Sequence, residues 1–213
     1  MNKSLIELYL KHEIFKISFD PLFTWSSGIQ SPFYCDHRKI LSHPDLRELC
    51  VKGFIDLIEK KFPAAKQIAA VATAGIPWGS MMADRMNLPL CYVRSKPKDH
   101  GLGKLIEGEF KEDLSTIIVE DLFSTGKSVI QTMQAIKIEF PKSQIIGAAA
   151  LFSYELKIVF ENDSFLKHHH HSVMTLKNIL KYLNIDKNKL LEFQSIFSIE
   201  DFIDEFNEFI DEK

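Results

Sequence analysis

The run Thr116-Ile117-Ile118-Val119-Glu120-Asp121-Leu122-Phe123-Ser124-Thr125-Gly126-Lys127-Ser128 joins a buried-type strand to two acids, a small polar turn and a helix start. Backbone N–H groups from Ser124 to Ser128 at a helix N-terminus form an anion cradle, Gly126 lets the chain bend and approach closely, and the hydroxyls of Ser124, Thr125 and Ser128 add donors. A phosphate monoester fits such a cradle. The ending Gly126-Lys127-Ser128 matches that of the triphosphate-binding loop G-x-x-x-x-G-K-[ST], but the position that demands its first glycine is Asp121, which excludes that loop. Two carboxylates ahead of the cradle suit the vicinal hydroxyls of a ribose whose 5′-phosphate sits further along, and they suit positive charge developing at the anomeric carbon. The plainer alternative is that Glu120-Asp121 starts a solvated loop and caps the helix.

A second group is Arg94, Lys96, Lys98 and Lys104 against Asp99 and Glu107, with His100, Gly101, Gly103 and Gly108. Taken by itself this is an exposed surface loop whose charges do little. Next to a phosphosugar cradle, a cationic hinged loop has a use: it neutralises a highly charged leaving group and excludes water from an oxocarbenium-like centre. Cys35, Cys50 and Cys91 are odd in number, widely spaced and without a C-x-x-C pair, which reads as buried reduced thiols in a cytosolic protein. His168-His169-His170-His171 cannot direct four adjacent imidazoles at one metal ion, and reads as a surface loop or a cloning remnant. No metal-ligating residue is assigned.

The elements that must position these groups follow from periodicity. Helices are expected over 4–15, from about Pro44 to Lys60, over Trp78–Met86 and over Lys127–Phe140. Strands are expected at Gln67–Thr73, Leu90–Arg94, Thr116–Val119 and Ile145–Leu151, and Ser26-Ser27-Gly28 marks a turn between two short extended pieces. Apolar runs alternating with helices mean an α/β fold with a mostly parallel central sheet flanked by helices, in which ligands sit beyond the carboxyl ends of the strands. That rule selects Thr73–Pro77, Ser95–Gly108 and Glu120–Ser128. The organisation expected is a single domain over 1–213: a small N-terminal hood to about 40, a core sheet over about 44–152 and a mixed extension over about 153–213 ending in an acidic helix from about Ser198.

The 213 residues suit one domain, and 26 basic against 29 acidic side chains leave a net charge of −3, so the global basic field of a nucleic-acid binder is absent. The nearly apolar runs around Ile68–Gly79 and Ile145–Phe152 are too short to span a bilayer. A cytoplasmic protein with neither nucleic-acid nor membrane partner is expected.

With these residues in view, Val119–Ser128 resembles the phosphoribosyl-pyrophosphate (PRPP) signature of type I phosphoribosyltransferases. Phe23-Thr24-Trp25-Ser26-Ser27-Gly28 with Ser31–Asp36, Thr73-Ala74-Gly75-Ile76-Pro77 and Tyr92–Gly101, in this order, resemble the orotate branch of that family. The resemblance implies the type I phosphoribosyltransferase fold and transfer of ribose 5-phosphate from PRPP to N1 of orotate, a step of pyrimidine nucleotide synthesis. It implies contact of PRPP and pyrophosphate with Arg94, Lys98, His100, Glu120, Asp121, Leu122, Phe123, Ser124, Thr125, Gly126, Lys127 and Ser128, with Lys98 and Asp121 catalytic and Ser124 nearest orotate. It further implies Mg²⁺ held mainly by pyrophosphate oxygens and water, and a homodimer whose 94–108 loop reaches the partner's site. Lys127 stands where glycine is usual, and either salt-bridges phosphate or points to solvent. Trp25, Phe33 and Tyr34 are either core or stacked on the base.

Overall fold

A computed structural model describes residues 3–25, 27–96, 104–156, 163–183, 185, 193 and 196. The expected acidic helix from Ser198, Ser26, and the loop residues Lys98 and His100 lie outside the described residues. The chain divides into two compact units, Met1–Cys50 with Leu176–Lys213, and Val51–Thr175.

In the first unit, helix α1 (Lys3–Lys11) buries Leu5, Ile6 and Tyr9 on one face. Glu13, with a φ of 51°, follows it, and the helix ends short of the expected residue 15. Strand β1 (Phe15–Ile17) runs antiparallel to β4 (Phe33–Cys35), and between them β2 (Phe23–Thr24) pairs with β3 (Gln30–Ser31) across the turn that contains Gly28. Trp25 and Phe33 are buried, and the Trp25 indole N–H donates to the Phe33 carbonyl at 2.9 Å, which satisfies the polar edge of a ring placed in a core. A 3₁₀ turn (His37–Ser42) leads to α2 (Pro44–Lys61), which starts with proline in its first turn and carries the chain into the second unit.

The second unit is built on β5 (Gln67–Val71), α3 (Gly75–Met86), β6 (Leu90–Val93), β7 (Ile106–Glu107), β8 (Ser115–Phe123), α4 (Lys127–Glu139), β9 (Gln144–Ser153), α5 (Ser164–His168) and β10 (His170–Thr175), and α6 (Leu176–Leu183) returns the chain to the first. The sheet order is β10-β9-β8-β5-β6-β7, parallel except for the edge strand β7. The two-residue repeat of the strands sorts the helices to opposite faces. Ala69, Val71 and Ile118 pack with Val129, Met133 and Ile136 of α4, while a β-carbon on Gly79 of α3 would meet Ala70 and Ile68. Among the described residues no helix is long and apolar enough to cross a membrane.

Two expectations are corrected. Strand β8 does not stop at Val119 but continues through Glu120, Asp121 and Leu122 to Phe123, because Glu120 pairs with Ala150, Leu122 with Phe152 and Phe123 with Ser153 of the long strand β9. The histidine run is not a loop throughout: His168 ends α5 and His169 follows it, both exposed, before β10 begins at His170. His170 and His171 open β10 and pair with Ala148 and Ala149, and His168, His169 and His170 each place Nδ1 2.8 Å from the carbonyl four residues earlier. The carbonyls of Phe165 and Leu166 also accept from the His169 backbone N–H at 3.1 and 3.2 Å, so the rings add donors to a helix end that the chain itself already caps. Burial lowers the pKa of His170 and of His171, which keeps both rings toward the neutral form at the sheet edge.

Candidate active site

The groups singled out in the sequence come from the carboxyl ends of β5, β6 and β8, all within the second unit. Past Val119 the partner β5 is left behind, since the last pair between them is Ala70 with Val119, and Glu120–Phe123 is laddered on β9 alone. Glu120 thus sits on a strand that projects beyond its neighbour. By the two-residue repeat it shares a face with Ile118, which packs under α4. That placement buries it to 6% exposure and brings its carboxyl to the first turn of the helix.

There Glu120 Oε2 accepts a hydrogen bond from the Ser128 hydroxyl at 2.8 Å, and Oε1 accepts from the Asp121 backbone N–H at 3.0 Å. Burial raises the Glu120 pKa well above the ordinary carboxylate value, and the charge of Asp121 adds to the effect, while the Asp121 N–H and the Ser128 hydroxyl oppose it by favouring the ionised form. Asp121 is half-buried. The two acids therefore differ: one is enclosed and held from both oxygens, the other is open to solvent on one side.

Ser124 and Thr125 are half-buried, Gly126 is buried, and Lys127 and Ser128 are exposed. Gly126 holds φ at 78°, a left-handed conformation that favours glycine, and serves as the N-cap of α4 without a capping side chain. The first-turn N–H groups of α4 are accordingly not capped by residue 126 and remain suited to an anion. Lys127 extends into solvent at that same turn.

The segment Thr73–Pro77 enters α3 one turn earlier than the sequence pattern indicates. Gly75 is the first helical residue, and a β-carbon there would stand 2.6 Å from the Val119 carbonyl oxygen and 3.4 Å from the Glu120 Cα. Absence of a side chain at residue 75 is what lets this loop lie against the acid-bearing strand. The preceding Ala72–Thr73 peptide is cis.

Arg94 follows β6. Its N–H donates to the Leu105 carbonyl at 2.9 Å and its Nη1 lies 3.4 Å from Glu107 Oε1 on the antiparallel strand β7. Arg94 and Ser128 both line a cavity of about 240 Å³ that also includes Ala72, Ser95, Leu105 and Thr132. The structure therefore brings Arg94, Ser128 and, through Ser128, Glu120 to one region at the strand ends. Lys104, at the far end of the same loop, pairs with Glu139 at the end of α4 at 3.3 Å. The Glu107 and Ser128 contacts were not readable beforehand, because each joins residues whose proximity depends on strand pairing or on the overrun of β8.

The pattern for the phosphoribosyl transferase domain matches residues 40–193. The chain is 46% identical over 154 residues, 72% of either protein, to an orotate phosphoribosyltransferase of Streptococcus pneumoniae serotype 19F (strain G54). Its fold is similar to that of the crystal structure of orotate phosphoribosyltransferase from Aeropyrum pernix, with a TM-score of 0.70 at 24% identity over 85% of this chain and 99% of the other. It is also similar to the crystal structure of orotate phosphoribosyltransferase from Francisella tularensis, with a TM-score of 0.72 at 18% identity over 91% and 99%. A parallel sheet ending in Glu120-Asp121 and a glycine-capped helix, together with a pattern match over 40–193 and 46% identity to an orotate phosphoribosyltransferase, places the chain in the phosphoribosyl transferase family, among the orotate phosphoribosyltransferases.

Proposed function

We propose that the chain transfers ribose 5-phosphate from PRPP to N1 of orotate, giving orotidine 5′-monophosphate and pyrophosphate. The observation that carries the site assignment is the junction of β8 and α4: an acid pair at a projecting strand end, followed within five residues by a glycine-capped helix N-terminus. The 5′-phosphate is assigned to the turn Ser124–Ser128, with donors from backbone N–H groups and hydroxyls. The ribose 2′- and 3′-hydroxyls are assigned to Glu120 and Asp121, with Leu122 and Phe123 supplying the backbone between acids and cradle. Ser124 is the side chain assigned nearest to orotate.

Cleavage of the bond between C1′ and pyrophosphate gives an oxocarbenium-like centre and a highly charged leaving group, and N1 of orotate closes the new glycosidic bond on that carbon as its N1–H proton passes to the departing pyrophosphate or to solvent. The acids stabilise the cationic sugar, with Asp121 in the catalytic role, while Arg94, Lys98 and His100 are assigned to pyrophosphate, with Lys98 as its principal catalytic partner. Both Glu120 oxygens already accept hydrogen bonds from the chain. We therefore propose that Mg²⁺ is carried mainly by pyrophosphate oxygens and water, where it neutralises leaving-group charge. The resemblance to the family supports a cytoplasmic homodimer in which the 94–108 loop serves the partner's site.

The test is the ultraviolet absorbance of orotate mixed with the protein, PRPP and Mg²⁺, with hypoxanthine, adenine and uracil followed by product assays. Loss of the orotate signal only when PRPP and magnesium are both present is expected. Turnover of another base alone would overturn the orotate assignment, and no turnover of any base would overturn the enzymatic one.

A further inference from the structure

The rings of His12 and His43 lie with centroids 3.9 Å apart and planes at 31°, so two imidazoles meet nearly face to face inside the first unit. His12 closes α1: its N–H donates to the Leu8 carbonyl at 3.0 Å, and just beyond it the Ile14 N–H donates to the Tyr9 carbonyl at 2.8 Å. His43 is held on both sides. Its N–H donates to the Ile40 carbonyl at 2.9 Å, and its own carbonyl accepts the Arg47 N–H of α2 at 2.9 Å. The backbones behind the stack are thus fixed by helix-end hydrogen bonds, which leaves the side chains as the part that can move.

The charges around the pair are mostly positive. Lys11 ends α1 beside His12, Lys39 donates to the Glu13 carbonyl at 3.4 Å, and Arg47 donates to the Leu41 carbonyl at 2.7 Å. Of the acids, Glu13 lies 3.8 Å from Lys16, and Asp45 in the first turn of α2 favours protonation of His12. Burial lowers the His12 pKa, His43 and Lys11 add to the effect, and Asp45 opposes it. His43 stands just ahead of the first turn of α2, whose N–H groups disfavour a cation. Both rings are half-buried, so solvent reaches them.

A neutral pair can stack, whereas a doubly protonated pair places two like charges at ring-contact distance, and imidazole is the side chain whose ordinary pKa puts that change just below neutral. We propose that the His12–His43 stack is a proton-operated clasp between the end of α1 and the start of α2, closed while the rings are neutral and opened when both are protonated. Opening loosens the last turn of α1, while Leu5, Ile6 and Tyr9 keep the buried face of the helix in place. As pH falls, the unfolded chain takes up a proton before the folded His12 does. The clasp's contribution to stability is therefore complete above the ordinary imidazole value and is lost as pH falls through the lowered folded one. None of these residues belongs to the substrate assignment, so the clasp stands apart from it.

The test follows imidazole Cε1–H signals and amide hydrogen exchange in wild type, His43→Phe and the double variant His12→Phe/His43→Phe, at about pH 7.5 and about pH 5. Phenylalanine keeps a ring in the stack and takes no proton. His37, 2% exposed with its ring 5.8 Å from that of Tyr9, is unchanged in all three and serves as the control imidazole on α1. In wild type the protection of the Leu8–His12 amides should fall severalfold at the lower pH, and in the double variant it should hold. In His43→Phe the His12 signal should titrate at higher pH than in wild type, because the like charge is gone. An equal loss of protection in wild type and the double variant would assign the effect to other groups and overturn the proposal. No loss in wild type, or a His12 titration unmoved by His43→Phe, would overturn it as well. Should the double variant not fold, the His12 titration in His43→Phe decides alone.

Discussion

Arg94 Nη1 lies 3.4 Å from Glu107 Oε1, across the pair formed by β6 and the short antiparallel strand β7. The side chains are 32% and 23% exposed, so the pair is partly solvated, and its removal should alter stability by less than about 1 kcal/mol. Under the proposed assignment of Arg94 to pyrophosphate, its effect on anion binding is more direct, because Glu107 would compete with the anion for the same guanidinium. Glu107→Gln should tighten product inhibition by pyrophosphate by up to about fivefold, the equivalent of one such pair. Inhibition constants measured for the two proteins check this, and unchanged or weaker inhibition would contradict the competition.

Lys98 and Asp121 are assigned to one reaction from different segments, and in the proposed dimer from different subunits. Lys98→Ala should lower kcat far more than it weakens PRPP binding, and Asp121→Asn should impair PRPP use without unfolding the protein. Mixing the two inactive variants after dissociation and reassociation should return activity to about a quarter of wild type, since half of the dimers are hybrid and each hybrid has one intact site. No recovery, with hybrid dimers shown to be present, would mean that Lys98 acts in its own subunit.

The buried acid has a consequence for stability. The Glu120 pKa is raised in the folded protein, so between the ordinary carboxylate value and the raised one the folded state holds a proton that the unfolded chain releases. This contribution is fully present below the unfolded value and is lost as pH rises through the folded value. Glu120→Gln should therefore flatten the decline of stability toward neutral pH and make the ligand-free protein more stable there, while lowering activity. Urea midpoints over a pH series would detect the difference, and parallel curves for the two proteins would refute it.

Gly75 leaves no room for a side chain. An added β-carbon would press on the Val119 backbone oxygen, which cannot rotate away, so Gly75→Ala should destabilise the protein by about 1–3 kcal/mol. It should also raise KM for PRPP, because the strand that gives way carries the acids. Denaturant unfolding with saturation kinetics checks both, and an unaltered midpoint would show that α3 can withdraw.

Much of this arrangement was legible from local pattern. The apolar run at Gln67–Val71 and the start of α4 at Lys127 follow from composition and from a glycine placed where the chain must turn. The extent of β8 was not legible, since two acids are poor strand formers and their extension depends on pairing with Ala150–Ser153 some thirty positions away. The histidines were opaque for a related reason: an imidazole run has neither helical nor strand periodicity, and its role arises only where α5 ends and β9 offers an edge. The Ser128 side chain was visible as a donor, but its acceptor was not, because the burial of Glu120 depends on a helix folding over the strand.

Because β8 outruns β5, the stretch from Glu120 to Phe123 has a hydrogen-bonding partner strand on one side only. In a parallel ladder successive amides alternate in direction, so solvent deuterium should enter this stretch in a toothed pattern, slow at the amides turned to β9 and faster at those turned away. Occupancy of the open side would slow the second set alone, which makes the isotope pattern over four residues a gauge of whether the end of the site proposed for the sugar is filled.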